Sequence, residues 1–272
     1  MSLFVKLAGD LPSMQKSFFR NLIACIFALS IIWRNCVPMK ITKESLPPLI
    51  CRSIAGTIGI FCNFYAVDHL PVADASILNK LSPFFVVIFS YLILKEKIKP
   101  YQCVCILVAF VGSLFVIKPT GTVLHNSAAL IGVLGGLTAG MAYAFVRLCS
   151  QKGVHGPVIV AFFSGFSCLA AIPFLIFDFK PMTMMQLGWL LMAGLAAAGG
   201  QFTITAAYSY APAREISVYD YSQIIFSTIL GFVVLGELPD AYSFLGYGII
   251  ISASIAMFML NRRNHAKERM LQ

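Results

Sequence analysis

Lys80 and Asp220 are the residues whose chemistry most needs explaining. Each lies about eight residues inside a long apolar run, hence roughly 12 Å from its end at 1.5 Å per helical residue. A charge at that depth in a bilayer costs about 2.5–3.5 kcal/mol or more, so such groups face a cavity or each other. An ammonium and a carboxylate at midplane depth suit the carboxylate and amine of a zwitterionic solute. Asp220 could instead carry a coupling proton, or the two could form a structural ion pair between halves of the chain. The residues alone leave these readings open.

A polar set surrounds the pair. Asn79 and Ser82 flank Lys80, and Asn63 and Tyr65 lie in the preceding run. Gln201, Thr203, Thr205 and Tyr208 fall in one later run, and Tyr219, Tyr221, Ser222 and Gln223 in the next. Hydroxyl and amide groups can hold a small solute and let it go. Any one of them could instead make an interhelical hydrogen bond, worth about 0.6 kcal/mol in a membrane. Their concentration in four runs predicts a lined cavity.

The elements that must position these groups are membrane spans. The chain is 59% hydrophobic and 11% charged, too little polar residue to cover a water-soluble domain of 272 residues. After an apolar stub at Met1–Ala8, spans are predicted at Gln15–Trp33, Pro48–Val67, Val72–Leu94 and Tyr101–Ile117. Five more follow at Ala128–Cys149, Val158–Phe177, Leu187–Tyr208, Ala213–Leu235 and Tyr242–Leu260. The stub has the look of the end of a spanning helix whose first half is missing. Counting it, the fold expected is an all-α polytopic bundle of ten spans, the first truncated.

The spans repeat. A shift of 141 positions lays Leu70–Glu96 without a gap on Ala211–Glu237. Pro71 then falls on Pro212, Ser76 on Ser217, Phe85 on Phe226 and Glu96 on Glu237, while Asn79 falls on Asp220. The expected organisation is a first repeat at 1–118, a second at 127–261 and a basic tail at 262–272. Arg34, Lys40, Lys43, Lys95, Lys97, Lys99, Arg147, Lys152 and the tail arginines all fall on one side, which is then cytoplasmic. That puts the C-terminus inside, in the plasma membrane. Five spans per repeat invert one copy relative to the other. Inverted repeats about a midplane site characterise secondary transporters working by alternating access.

Three pieces of the sequence, FFR at Phe18–Arg20, LPVADAS…LSP…LKE from Leu70 and Pro212…GE, resemble an EamA-type member of the drug/metabolite transporter superfamily. The resemblance covers nearly the whole chain and implies ten helices in two inverted five-helix repeats. It also implies movement of a small metabolite, commonly export of an amino-acid-like solute or drug. The incomplete first helix departs from that pattern.

Other classes find less support. The sequence has no HExxH, no nucleophile paired with a base and no Walker motif, so an enzyme or a cis-acting ATP pump is not expected. A lipid-carrier flippase or integral-membrane enzyme remains the alternative. The net charge of +9 follows the loop pattern of a membrane protein and does not indicate nucleic acid. Eight cysteines without ligand spacing indicate neither metal nor disulfides, and no cofactor is expected beyond a coupled proton. Arg20 and Arg52 are read as snorkelling to headgroups, and the resemblance implies a cavity edge equally for Arg20. Gly132, Gly136 and Gly140 form a small-residue face for packing within the chain, or for a homodimer. Pro83 should kink its span.

Overall fold

The computed structural model describes residues 1–9, 11–70, 72–118, 127–236 and 238–270. Among them helix is the regular structure, in the order α1 (Ser2–Leu7), α2 (Ser13–Arg34), α3 (Leu46–His69), α4 (Val72–Asn79), α5 (Ser82–Leu94) and α6 (Pro100–Ile117). Then come α7 (Ser127–Gln151), α8 (Gly156–Asp178), α9 (Met184–Tyr210), α10 (Ala213–Ile216), a 3-10 turn at Ser217–Tyr221, α11 (Ser222–Leu235) and α12 (Ala241–Met270). Nine segments among the described residues are long and apolar enough to cross a membrane. Pro71, Glu237 and residues 119–126 of the joining loop lie outside the described residues.

Two predicted spans are not continuous helices. The run from Val72 to Leu94 breaks at Lys80–Leu81, and α5 restarts with Pro83 in its first turn. Proline has no N–H to donate one turn back to Asn79, so the helix cannot pass through unbroken. The run from Ala213 to Leu235 tightens into the 3-10 turn over SVYDY, five residues of weak helix propensity. The basic tail adds length to the last helix. It continues α12 as far as Met270, because residues 262–270 contain no glycine or proline to stop a helix.

The helices pack in a recurring scheme. α3 lies against α7 and α8, α2 against α8 and α9, α6 against α12, and α1 against α9. The glycine face of α7 is taken up inside the chain: a Cβ at Gly132 would meet Leu78 Cδ1 at 2.6 Å, and one at Gly136 the Leu78 carbonyl oxygen at 2.8 Å. Where α6 crosses α12, a Cβ at Gly246 would lie 2.6 Å from the Gly112 carbonyl oxygen. One buried apolar cluster includes Ile32 of α2, Leu49 of α3, Val146 and Cys149 of α7, Ile159 of α8 and Tyr208 of α9.

Asp240 fastens α12 at its start. Its Oδ1 accepts from the Ser243 backbone N–H at 3.0 Å and the Ser243 hydroxyl at 2.8 Å, and Oδ2 pairs with Lys118, the left-handed cap of α6. Lys118 foremost, then Ser243, hold this carboxyl down at about 2. A depressed carboxyl pKa stabilises the fold above the ordinary value of 3.8, and that stabilisation is lost as pH falls through about 2. Asp240→Ala is therefore expected to lower the thermal midpoint of the purified protein at pH 7. The gap from wild type should close as pH approaches 2, which intrinsic fluorescence melts would follow.

Candidate transport site

The two helix breaks meet. Lys80, 8% exposed in the gap between α4 and α5, donates through Nζ to the Asp220 carbonyl oxygen at 3.0 Å and to Gln223 Oε1 at 2.8 Å. In return the Tyr221 hydroxyl donates to the Lys80 carbonyl oxygen at 3.0 Å. Tyr221 is the residue that the 141-position register lays on Lys80. A broken helix exposes main-chain carbonyls to a buried donor, since each carbonyl has two lone pairs and an intact helix uses one.

Lys80 and Asp220 come together, but not as the side-chain ion pair that was one expectation. The ammonium meets the Asp220 main chain, while Asp220 Oδ2 accepts from the Tyr208 hydroxyl at 2.9 Å. Among the described residues no donor meets Oδ1, and Asp220 is only partly buried. An acceptor position therefore remains for an ammonium group or a proton.

The rest of the expected set divides. Gln201, Thr205 and Tyr208 share one face of α9 at a spacing of four and three residues, all buried, with Gln201 Nε2 donating to Thr205 Oγ1 at 3.3 Å. Asn79 Nδ2 donates to Asn63 Oδ1 at 3.0 Å and joins α4 to α3. Ser82 is buried at the start of α5, beside Gly136. Gln223 and Tyr219 are exposed, the first reaching back to Lys80 and the second not drawn into the cluster. Two neighbours of the set point elsewhere: Thr203 bonds back to the Gly199 and Gly200 carbonyls, and Tyr65 stacks on His69.

Other residues of the site were not foreseen. Arg52 does not snorkel: it is 2% exposed and lies 4.0 Å from the centre of the Phe163 ring. Gly56, one turn along α3, leaves the room, since a Cβ there would fall 2.1 Å from Arg52 Nη1. Tyr143 of α7 stacks on Tyr208 with centroids 5.0 Å apart and planes 10° apart. Arg147, near the end of α7, donates to the Ser209 carbonyl at 2.6 Å and pairs with Glu96 at 3.5 Å. Glu96 also accepts from Ser90 at 2.6 Å, so this network ties α5, α7 and α9 at one end. The depth of Arg52 in its span was the one available signal; nothing in the spacing marked Tyr143.

Apolar spans around a polar, charged centre define a multi-pass membrane protein built to pass a small solute. The chain belongs to the EamA-like transporter family, which it matches at residues 1–118 and 130–259. It is 34% identical over 259 residues to a pseudopaline exporter of Pseudomonas aeruginosa, covering 94% of this chain and 90% of that protein. It is 26% identical over 264 residues to a riboflavin transporter of Rhizobium johnstonii, covering 94% and 84%. A solved crystal structure shares the fold with a TM-score of 0.81 at 17% identity, over 95% of this chain and 93% of that one. The family and these relatives are membrane transporters, so the protein is a transporter of small metabolites and not an enzyme.

Proposed function

We propose that the protein is a secondary-active exporter of an amino-acid-like metabolite in the plasma membrane, working by alternating access about Lys80 and Asp220. Its halves are two five-helix repeats of opposite orientation, with the C-terminus cytoplasmic and Asp220 as the carrier of a coupling proton. One observation carries the reading: the two helix breaks overlap in register at Lys80 and Tyr221, and those two residues touch. Broken helices at a midplane repeat interface are where carriers bind solute.

The packing scheme supports it. Exchanging the two five-helix groups turns the α2–α9 contact into α8–α3 and the α3–α7 contact into α9–α1, and maps α2–α8 and α6–α12 onto themselves. All these contacts are present. The pseudopaline exporter among its relatives supports an outward direction and a metabolite cargo.

Reconstituted protein is expected to show saturable counterflow in vesicles loaded with amino-acid-like solutes or riboflavin. An imposed proton gradient should accelerate it in wild type and not in Asp220→Asn. Flux that stays linear with concentration would instead describe a channel and remove this reading.

A further inference from the structure

Arg52 brings a charge into the interior with no acidic partner among the described residues. Its Nε and Nη1 are buried without an acceptor, and so is Nε of Arg20 on α2. Neither arginine has an ion pair among the described residues. The two guanidiniums lie within electrostatic range of each other and of the Tyr143 hydroxyl. Tyr143 stacks on Tyr208, and Tyr208 donates to Asp220. Aromatic groups thus connect an unbalanced positive end to a carboxylate end.

A packing role does not account for this arrangement. The Phe163 ring offsets part of the cost of one buried guanidinium, but gives its N–H groups no acceptor. Two such cations close together add repulsion. Unpaired charge within a span is usually functional and lines a solute path. The guanidinium fork fits the oxygens of a carboxylate or phosphate two at a time.

We propose that Arg52 and Arg20 form an anion subsite of the solute path, binding a carboxylate or phosphate group of the solute while its cationic group meets Asp220. This deepens the transporter reading above and rests on it. The solute class is an ammonium-bearing acid.

Phenylglyoxal modification of Arg20 and Arg52 in the purified full chain, read by mass spectrometry, tests the subsite without a mutation. Citrate, inorganic phosphate or uncharged succinamide is added in separate arms. Protection by citrate supports a carboxylate, protection by phosphate supports a phosphate, and succinamide should protect against neither. In parallel, thermal stabilisation by citrate and phosphate is compared in wild type, Arg52→Gln, Arg52→Lys and Lys80→Met. Anion affinity is expected to fall by about tenfold or more in Arg52→Gln, with partial recovery in Arg52→Lys. Arg52 that never reacts, or that reacts equally in every arm, overturns the proposal. So does anion stabilisation that survives Arg52→Gln and vanishes in Lys80→Met, which would move the anion to Lys80 and leave the transport centre standing. Failure of wild-type counterflow would instead remove the transporter reading itself.

Discussion

Lys80→Met should reduce saturable counterflow by roughly 10- to 100-fold while leaving the thermal midpoint unchanged or raised. The ammonium makes two charge-assisted hydrogen bonds, to Gln223 and to the Asp220 carbonyl. Each such bond is worth about 1.5–3 kcal/mol, and about 1.4 kcal/mol is a tenfold change in rate. Methionine keeps the length of the side chain and removes the desolvation cost of a buried ammonium, several kcal/mol per ion, which offsets the loss of those two bonds in the folded state. Asp220→Asn tests the other side: the amide oxygen still accepts from Tyr208, so the fold should hold while the charge is gone. A purely structural tie makes the opposite forecast, with stability and transport falling together. Melts and counterflow on the same preparations separate the two, and unchanged transport in both variants would sink the site.

Gly140→Val should give little folded protein. A Cβ at Gly140 would lie 2.6 Å from Phe85 Cβ, 2.8 Å from Val86 N and 2.9 Å from the Phe85 carbonyl carbon. Those neighbours are main chain or rigidly attached to it, so α5 would have to move away from α7. Over-packing of this kind costs about 1–3 kcal/mol or more, and the two extra methyl carbons of valine add to it. Gly199→Ala is the control, since nothing lies within 4 Å of a Cβ there. That change should be neutral or stabilise by about 0.5–1 kcal/mol, because alanine is the better helix former. Fluorescence-detected size exclusion after heating would rank the variants; equal recovery of Gly140→Val and wild type would show that α5 can yield.

Much of this was legible in the residues. Apolar runs of span length gave the helices to within a few residues, because a bilayer constrains length and composition together. The closeness of Lys80 and Asp220 was also legible, since the register set Asp220 on Asn79, next to Lys80. The helix breaks were only half visible. Pro83 announced the first, but no proline marks the second at Ser217–Tyr221. The helix face that Arg52 presents was not legible. Depth in a span can be counted, but whether a long cationic side chain turns to headgroups or inward depends on neighbours such as Phe163 and Gly56. The tyrosine stack is a contact between α7 and α9, and no local pattern encodes it.

The crossing of α6 and α12 has a mechanical consequence. The Gly112 and Gly246 backbones come into near contact there, with Val116, Ile249 and Ile250 filling the space around them. Neither helix can tilt against the other without colliding or opening a void that close-packed interiors do not tolerate. The pair is therefore a stiff joint in the bundle: α6 and α12 should shift only as one body, so a cysteine cross-link between them should leave the fold and its melting point intact.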